Sequence, residues 1–338
     1  MRKVTSLDVA AKAGVSQSAV SRVFSGASAS KTTVEKVRAA ALELGYRPNV
    51  LARSLITGKS RIIGLIVAYL DNPFYPDVLE RLSNALQAEG YHILVFMASG
   101  EGVESDRMVQ DLLDYQVDGI IAASVGMSTE LAARCQAAGI PLVLFNRGAE
   151  AAGVAEVTSD NLKGAAQVAR FLAAGGHRAI AHVSGWQGSQ TGRARAQGFR
   201  DGLAEAGVEM LGVRDGFYDR DKAATAALEL ADLGADALFV GNDHMAFSVM
   251  DALRGRGAKI GTEISVVGYD DVPMAAWPSY GLTTVRQPVR QMVEATVGQM
   301  LRLIEAPETP TEAMRIAGRL MVRGSARVPQ DWPSQDRA

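Results

Sequence analysis

The run from Val4 to Phe24 constrains this chain more than any other: Val-Thr-Ser-Leu-Asp-Val-Ala-Ala-Lys-Ala-Gly-Val-Ser-Gln-Ser-Ala-Val-Ser-Arg-Val-Phe. It divides into two short helices around a tight turn at Gly14-Val15. Ser6 to Ala13 sets Leu7, Val9 and Ala10 at core-like spacing, with Asp8 in the first turn, where the helix dipole favours a carboxylate. Gly14 supplies the left-handed stop. The second helix, Ser16 to Phe24, starts on a capping Ser16 and buries Ala19, Val20 and Val23. Gln17, Ser18 and Arg22 then share a polar face. Such a pair is how a small domain sets one helix into a DNA major groove. A third helix, Lys31 to Leu44, turns Val34, Val37, Ala41 and Leu44 inward and ends at Gly45. So few large apolar groups make a marginal core.

Charge follows the same division. Residues 1–60 hold ten Lys/Arg against Asp8, Glu35 and Glu43, whereas the rest of the 338-residue chain holds 25 Lys/Arg against 34 Asp/Glu. A basic head on an acidic body confines phosphate attraction to the head. Arg22 is long and cationic, and a guanidinium can grip guanine O6 and N7 together; a phosphate contact is the plainer role. Thr5, Ser16 and Ser21 suit phosphate, and Ser16 also suits a helix cap. Asn49 to Thr57 can form one more helix, introduced by Pro48 and stopped by Gly58. It is too short to persist alone, so it needs a partner, and a homodimer is expected.

From Ile62 the pattern changes to buried strands alternating with helices. Strands are expected at 62–67, 92–97, 117–123, 141–145 and 154–158. The rhythm restarts with strands at 179–183, 211–217, 237–240, 264–269 and 282–285. Helices are expected from Pro76 to Glu89, Arg193 to Ala206 and Asp221 to Ala231. This is the βαβ signature of parallel sheets. The fold class is an all-α helix-turn-helix head on an α/β core of two doubly wound parallel-sheet lobes, with changeovers near 159–162 and 285–289. Ligands of such lobes bind at strand carboxyl ends. The loop positions there offer Phe74, Tyr75, Asn146, Arg195, Tyr218, Asn242 and Asp270, with Trp277 as a stacking platform. Aromatics beside Asn, Arg and Asp suit a polyhydroxylated ring. Phe74 also fits a core role, and Arg195 with Asp270 a lobe-bridging ion pair. Trp186, in an unusually Gly-rich loop, is a further neighbour of the pocket and leaves a sugar acid or an aromatic acid open as ligand.

Several classes are excluded. One cysteine, Cys135, rules out an internal disulfide and suits a cytoplasmic protein. No apolar run reaches membrane-spanning length. The segment Gly185 to Gly192 lacks a P-loop ending, and the histidines lack metal-ligand spacing. No enzyme, cofactor or metal is expected. A periplasmic-type binding protein without regulatory role is the alternative that the core alone would allow.

Ordered motifs now carry a resemblance. Besides Val4–Phe24 they are Leu44-Gly-Tyr-Arg-Pro-Asn49, Leu51-Ala-Arg-Ser-Leu55, Asp71-Asn-Pro-Phe-Tyr75, Val117-Asp-Gly-Ile-Ile121, Gly175-Gly-His-Arg178, Val267-Gly-Tyr-Asp-Asp271 and Leu282-Thr-Thr-Val285. Together they resemble the LacI/GalR (lactose-repressor-like) bacterial regulators over residues 4 to 325. The resemblance implies a repressor that binds double-stranded operator DNA and a small sugar-like effector between periplasmic-binding-protein-like lobes. It makes Gln17 and Ser18 specificity positions and Leu55 a minor-groove wedge. Ala52 would let two hinge helices approach, and Arg53 would reach phosphate or the groove edge. The implied division is a head at 1–48, a hinge at 49–60, a core at 61–328 and a disordered tail at 329–338. Within the core, lobe 1 takes 61–160 and 288–318, and lobe 2 takes 161–287 and 319–328.

Overall fold

In the head, three helices follow from local signals. Helix α1 (Ser6–Ala13) opens on a capping box: the Thr5 hydroxyl accepts the Asp8 N–H at 3.4 Å, and the Asp8 carboxylate accepts the Thr5 N–H at 2.8 Å. It stops at Gly14, whose φ of 66° is left-handed. Helix α2 (Gln17–Ser25) begins one residue later than expected, with Ser16 as the cap whose hydroxyl accepts the Ala19 N–H at 3.2 Å. Helix α3 (Lys31–Leu44) runs from a Ser30 cap to Gly45. Their core is small: Val9, Ala10, Val20, Val23, Val37, Ala40 and Ala41. The expectation for Leu7 is corrected, since it is 60% exposed. At 100° per residue it points 200° away from Val9, and both cannot face one core.

The computed structural model describes residues 4–25, 28–47, 59–98, 103–123, 129–148 and 153–333. The chain divides into two units, Met1–Arg61 and Ile62–Ala338. The expected hinge helix, with Ala52, Arg53 and Leu55, lies outside the described residues.

The second unit holds two six-stranded sheets. The first consists of β1 (Ile62–Val67), β2 (His92–Met97), β3 (Gly119–Ala123), β4 (Leu142–Phe145), β5 (Ala155–Ser159) and, far along the chain, β11 (Ala313–Ile316). Its order is β11-β5-β4-β3-β1-β2, all parallel. Helices α4 (Phe74–Ala88), α5 (Val103–Asp114) and α6 (Thr129–Ala137) connect these strands. The second sheet consists of β6 (Ile180–Ser184), β7 (Gly212–Asp215), β8 (Ala237–Val240), β9 (Ser265–Asp270), β10 (Thr283–Arg286) and β12 (Arg319–Met321). Its order is β12-β10-β9-β8-β6-β7, with only the β10–β12 pair antiparallel. Around it lie α7 (Asn161–Ala174), α8 (Gln190–Glu205), α9 (Arg220–Asp232) and α10 (Asp243–Gly255). Helix α11 (Val289–Glu305) returns the chain to the first sheet. The chain therefore crosses between sheets after β5, after β10 and between β11 and β12.

The central strands are buried on both faces, as all-parallel sheets require. Side-chain hydrogen bonds move two bounds from where they were expected. The seventh strand ends at Asp215 rather than Phe217, because the Asp215 carboxylate accepts the Phe217 N–H at 2.8 Å and turns the chain. Helix α4 starts at Phe74 because the Asn72 side-chain oxygen accepts its N–H at 3.1 Å. Within the expected tail, Trp332 packs edge-on against Phe171, with ring centroids 5.0 Å apart, while 334–338 lie outside the described residues.

Helices α7 and α8 approach closely at Gly198, where a β-carbon would run into the Leu162 carbonyl. Alanine is the better helix former by about 1 kcal/mol. Even so, Gly198→Ala is expected to destabilise by a net of about 1–3 kcal/mol, because two backbones must part. Urea unfolding checks this; a stabilised variant would refute the packing argument.

Candidate functional site

On the head, Gln17, Ser18, Ser21 and Arg22 are all exposed, at positions that share one helix face opposite Val20 and Val23. Gln17 donates to the Ser6 hydroxyl at 3.0 Å, and Arg22 Nε to the Ser18 carbonyl at 3.4 Å. The Ser16 and Ser18 hydroxyls lie 2.9 Å apart. Thr5 is exposed, but its hydroxyl is engaged in the capping box. These contacts hold the polar side chains on the face without burying them.

In the second unit, a cleft opens between the two sheets at their strand carboxyl ends. Tyr69, Asp71, Asn72, Tyr75, Asn146 and Arg147 line it from the first lobe. Thr191, Arg195, Tyr218, Asn242, His244 and Asp270 line it from the second. Arg195, at 3% exposure, is the centre of the second wall. Its Nε donates to Asn161 Oδ1 at 2.8 Å and its Nη1 to the Gly241 carbonyl at 2.6 Å. Its guanidinium lies 3.7 Å from the Tyr269 ring centroid, and Nη2 is 3.6 Å from Asp270 Oδ1. Asp270 also accepts from Gln287 at 2.7 Å. Burial pushes its carboxyl up, against the pull of the Arg195 guanidinium beside it. The expectation of a lobe-bridging pair is corrected: Arg195 on α8 and Asp270 on β9 belong to the same lobe.

Other contacts do cross the cleft. The Thr191 hydroxyl donates to the Asn146 carbonyl at 3.2 Å. His244 Nε2 lies 3.4 Å from Asp71 Oδ2. Burial lowers the His244 pKa, with Asp71 opposing. Two cleft atoms, Asn146 Oδ1 and Tyr218 Oη, are buried without a partner among the described residues. Asn242 both lines the cleft and caps α10, its Oδ1 accepting the Met245 N–H at 3.0 Å. Among the described residues, no cluster of three or more His, Cys, Asp or Glu is placed to hold a metal ion.

A DNA-reading head and a cleft between two parallel-sheet lobes meet in known proteins. Residues 5–49 match the family model for bacterial regulatory proteins of the lacI family, and residues 60–323 match that for periplasmic binding proteins and the sugar-binding domain of the LacI family. The chain belongs to the LacI family.

Its relatives agree along their whole length. The transcriptional regulator CelR of Thermobifida fusca is 33% identical over 337 residues, covering 96% of this chain and 98% of the relative. The ribose operon repressor of Escherichia coli K12 is 30% identical, covering 95% and 99%. Among solved structures, the Lac repressor dimer bound to operator and an anti-inducer matches with a TM-score of 0.87 at 28% identity, covering 96% and 99%. A CelR–cellobiose complex matches with a TM-score of 0.73 at 31% identity, covering 96% and 100%. This LacI-family chain is a DNA-binding transcriptional regulator with an effector-binding core, and not an enzyme. Among the described residues, no helix is long and apolar enough to cross a membrane.

Of the expected effector residues, Tyr75, Asn146, Arg195, Tyr218, Asn242 and Asp270 come together in the cleft. Phe74 does not. It is 4% exposed in the core and meets the Tyr75 ring edge-on at 5.2 Å, so it positions Tyr75. Trp277 does not either: it follows the short 3-10 turn Pro273–Ala276 and is 52% exposed, outside the cleft lining. Sequence reasoning missed Tyr69, Asp71, Asn72, Arg147, Thr191 and His244. Asp71 and Asn72 stand in a quoted motif, and Arg147 and His244 lie one and two residues from named sites, so adjacency was the available signal. Cys135 is a buried helix residue whose thiol burial pushes up to about 11, which removes its nucleophilicity.

Proposed function

We propose that this regulator represses by binding a palindromic operator as a homodimer, and that a sugar or sugar derivative held between the lobes sets its affinity for DNA. The observation that carries the effector reading is the pair Asn146 Oδ1 and Tyr218 Oη: two buried polar atoms, from opposite lobes, at one cleft and without partners among the described residues. Leaving each unmade costs about 1–3 kcal/mol. Hydroxyl groups of one ligand would satisfy both and draw the lobes together. Arg195 is already balanced by Asp270, so the ligand need bring no charge. Relatives named for ribose and solved with cellobiose support a sugar.

For DNA, residues 1–48 act as the reading head and 49–60 as the hinge, with the lobes dividing near 160, 287 and 318. Gln17, Ser18 and Arg22 read base edges, while Thr5, Ser16 and Ser21 meet phosphate. In the hinge, Ala52 allows close helix approach, Arg53 meets the backbone and Leu55 wedges the minor groove. Fluorescence anisotropy on a duplex selected with the full-length protein tests this. Arg22→Ala is expected to cost about 1–3 kcal/mol and relax preference at one base pair per half-site. Leu55→Ala is expected to weaken operator binding while leaving salt-dependent non-specific binding. Unchanged base preference in the first, or unchanged affinity in the second, would refute the role concerned.

A further inference from the structure

Exposed aromatic residues stand at the mouth of the cleft. Tyr69, on the loop after β1, and Trp186, on the loop after β6, are each 40% exposed. They come from opposite lobes, and both follow the carboxyl end of a strand, on the side where the polar pocket opens. Tyr69 lines that pocket. Trp186 adjoins it, with the guanidinium of the lining residue Arg147 5.8 Å from its ring centroid. Phe217 is also exposed beside Tyr218, with Lys222 Nζ 4.9 Å from its ring centroid.

The two side chains are held out deliberately. Tyr69 has a φ of 60°, a left-handed backbone that an aromatic residue keeps only where its surroundings enforce it. The Trp186 loop is tied down by its own hydrogen bonds. The Ser189 hydroxyl donates to the Trp186 carbonyl at 2.8 Å, and Gln187 Nε2 to the Gly185 carbonyl at 2.7 Å. Arg193 Nη1 donates to the Gln187 and Gly188 carbonyls at 3.1 and 2.9 Å. Gly188 packs against the indole so closely that a β-carbon there would strike the ring. The indole is thus backed by Gly188 and flanked by the Arg147 guanidinium, with 40% of the residue open to water. It is suitable surface for the apolar C–H face of a sugar ring.

The polar pocket and this rim differ in chemistry and adjoin in space. We propose that the effector is an oligosaccharide of at least two rings, the first seated in the polar pocket and the second stacked on Trp186 with Tyr69 opposite. This rests on the sugar reading of the cleft. The relatives do not decide it, since their names include both ribose and cellobiose.

Isothermal titration of the full-length protein with matched pairs tests it: glucose against cellobiose and maltose, and xylose against xylobiose. At least one disaccharide is expected to bind tenfold or more tightly than its own monosaccharide. Trp186→Ala should remove most of that ratio and leave monosaccharide affinity within twofold. Trp186→Phe should retain part of it, and Tyr69→Ala gives a second reading should the loop variant fail to fold. A disaccharide ratio near one, or a tenfold ratio that survives in Trp186→Ala and Tyr69→Ala, overturns the rim alone. A protein that binds none of these sugars overturns the sugar reading and this proposal with it.

Discussion

Replacing Arg195 by alanine is expected to cost about 3–5 kcal/mol of stability, and the effector response with it. The guanidinium is 3% exposed, so solvent does not screen what it does. Removing it strands three groups at once: the Asn161 side-chain oxygen, the Gly241 carbonyl and the Asp270 carboxylate. The carboxyl dominates, because without its cation it must either stay charged and unpaired or be driven by burial to take up a proton, and either costs more than an unpaired neutral acceptor. Gln287 remains on Asp270, but a neutral amide cannot replace a cation at neutral pH. The Tyr269 ring also loses the cation 3.7 Å from its centroid. Urea unfolding at pH 7 measures the first effect, and thermal shift with a bound sugar the second. The same substitution made in an Asp270→Asn background should cost clearly less, since no charge is then orphaned. Equal costs in both backgrounds would show that Arg195 acts by packing alone.

The second large effect is a dependence of stability on pH that runs opposite to ordinary carboxylates. Asp243, in the first turn of α10, is fully buried. Burial and then the neighbouring Asp270 push its pKa up to about 8. The hydrogen bonds from the Thr284 hydroxyl at 2.6 Å and the Val272 N–H at 3.0 Å pull it down, but less strongly. The unfolded chain releases this proton near the usual carboxylate value, about 3.9. Between these values the folded state binds more protons than the unfolded. Stability therefore falls as pH rises, by up to about 1.4 kcal/mol per pH unit. His182 contributes the other way. Burial lowers its pKa to about 4, so stability is lost as pH falls from about 6.5. His177 and His244 are also lowered and act in that same direction below about 6.5. Above that pH the histidine contributions level off, and towards pH 8 the slope belongs to the buried pair Asp243 and Asp270, both of whose carboxyls are raised by burial. Asp243→Asn should flatten it and be more stable than the parent at pH 8, since an amide can donate to Thr284 and still accept from Val272. Unfolding at half-unit pH steps measures the slope; a variant with the parental slope would sink the argument.

Particular residues show how far the sequence could be read. Helices α1 and α3 are legible to the residue, because Thr5 with Asp8, Gly14, Ser30 and Gly45 are caps whose chemistry is local. Strands β11 and β12 give no comparable signal. Four and three residues long, they are strands only because a neighbour in each sheet is waiting for them. Tyr218 reaches the cleft because the turn at Asp215 sets its register. Trp277 misses the cleft because a 3-10 turn, which periodicity does not announce, carries it to the surface.

Local pattern along the chain is enough for the helix-turn-helix head, the alternation of strands and helices and most of the loops that supply the cleft. Those follow from caps, periodicity and strand ends, which are properties of neighbours in the chain. Packing in three dimensions is what pairs Arg195 with Asp270 within one lobe, sets Phe74 in the core behind Tyr75, and shuts Asp243 away from water. Each of these depends on the distance between segments far apart in sequence, and on the water their contact excludes, neither of which a local pattern encodes.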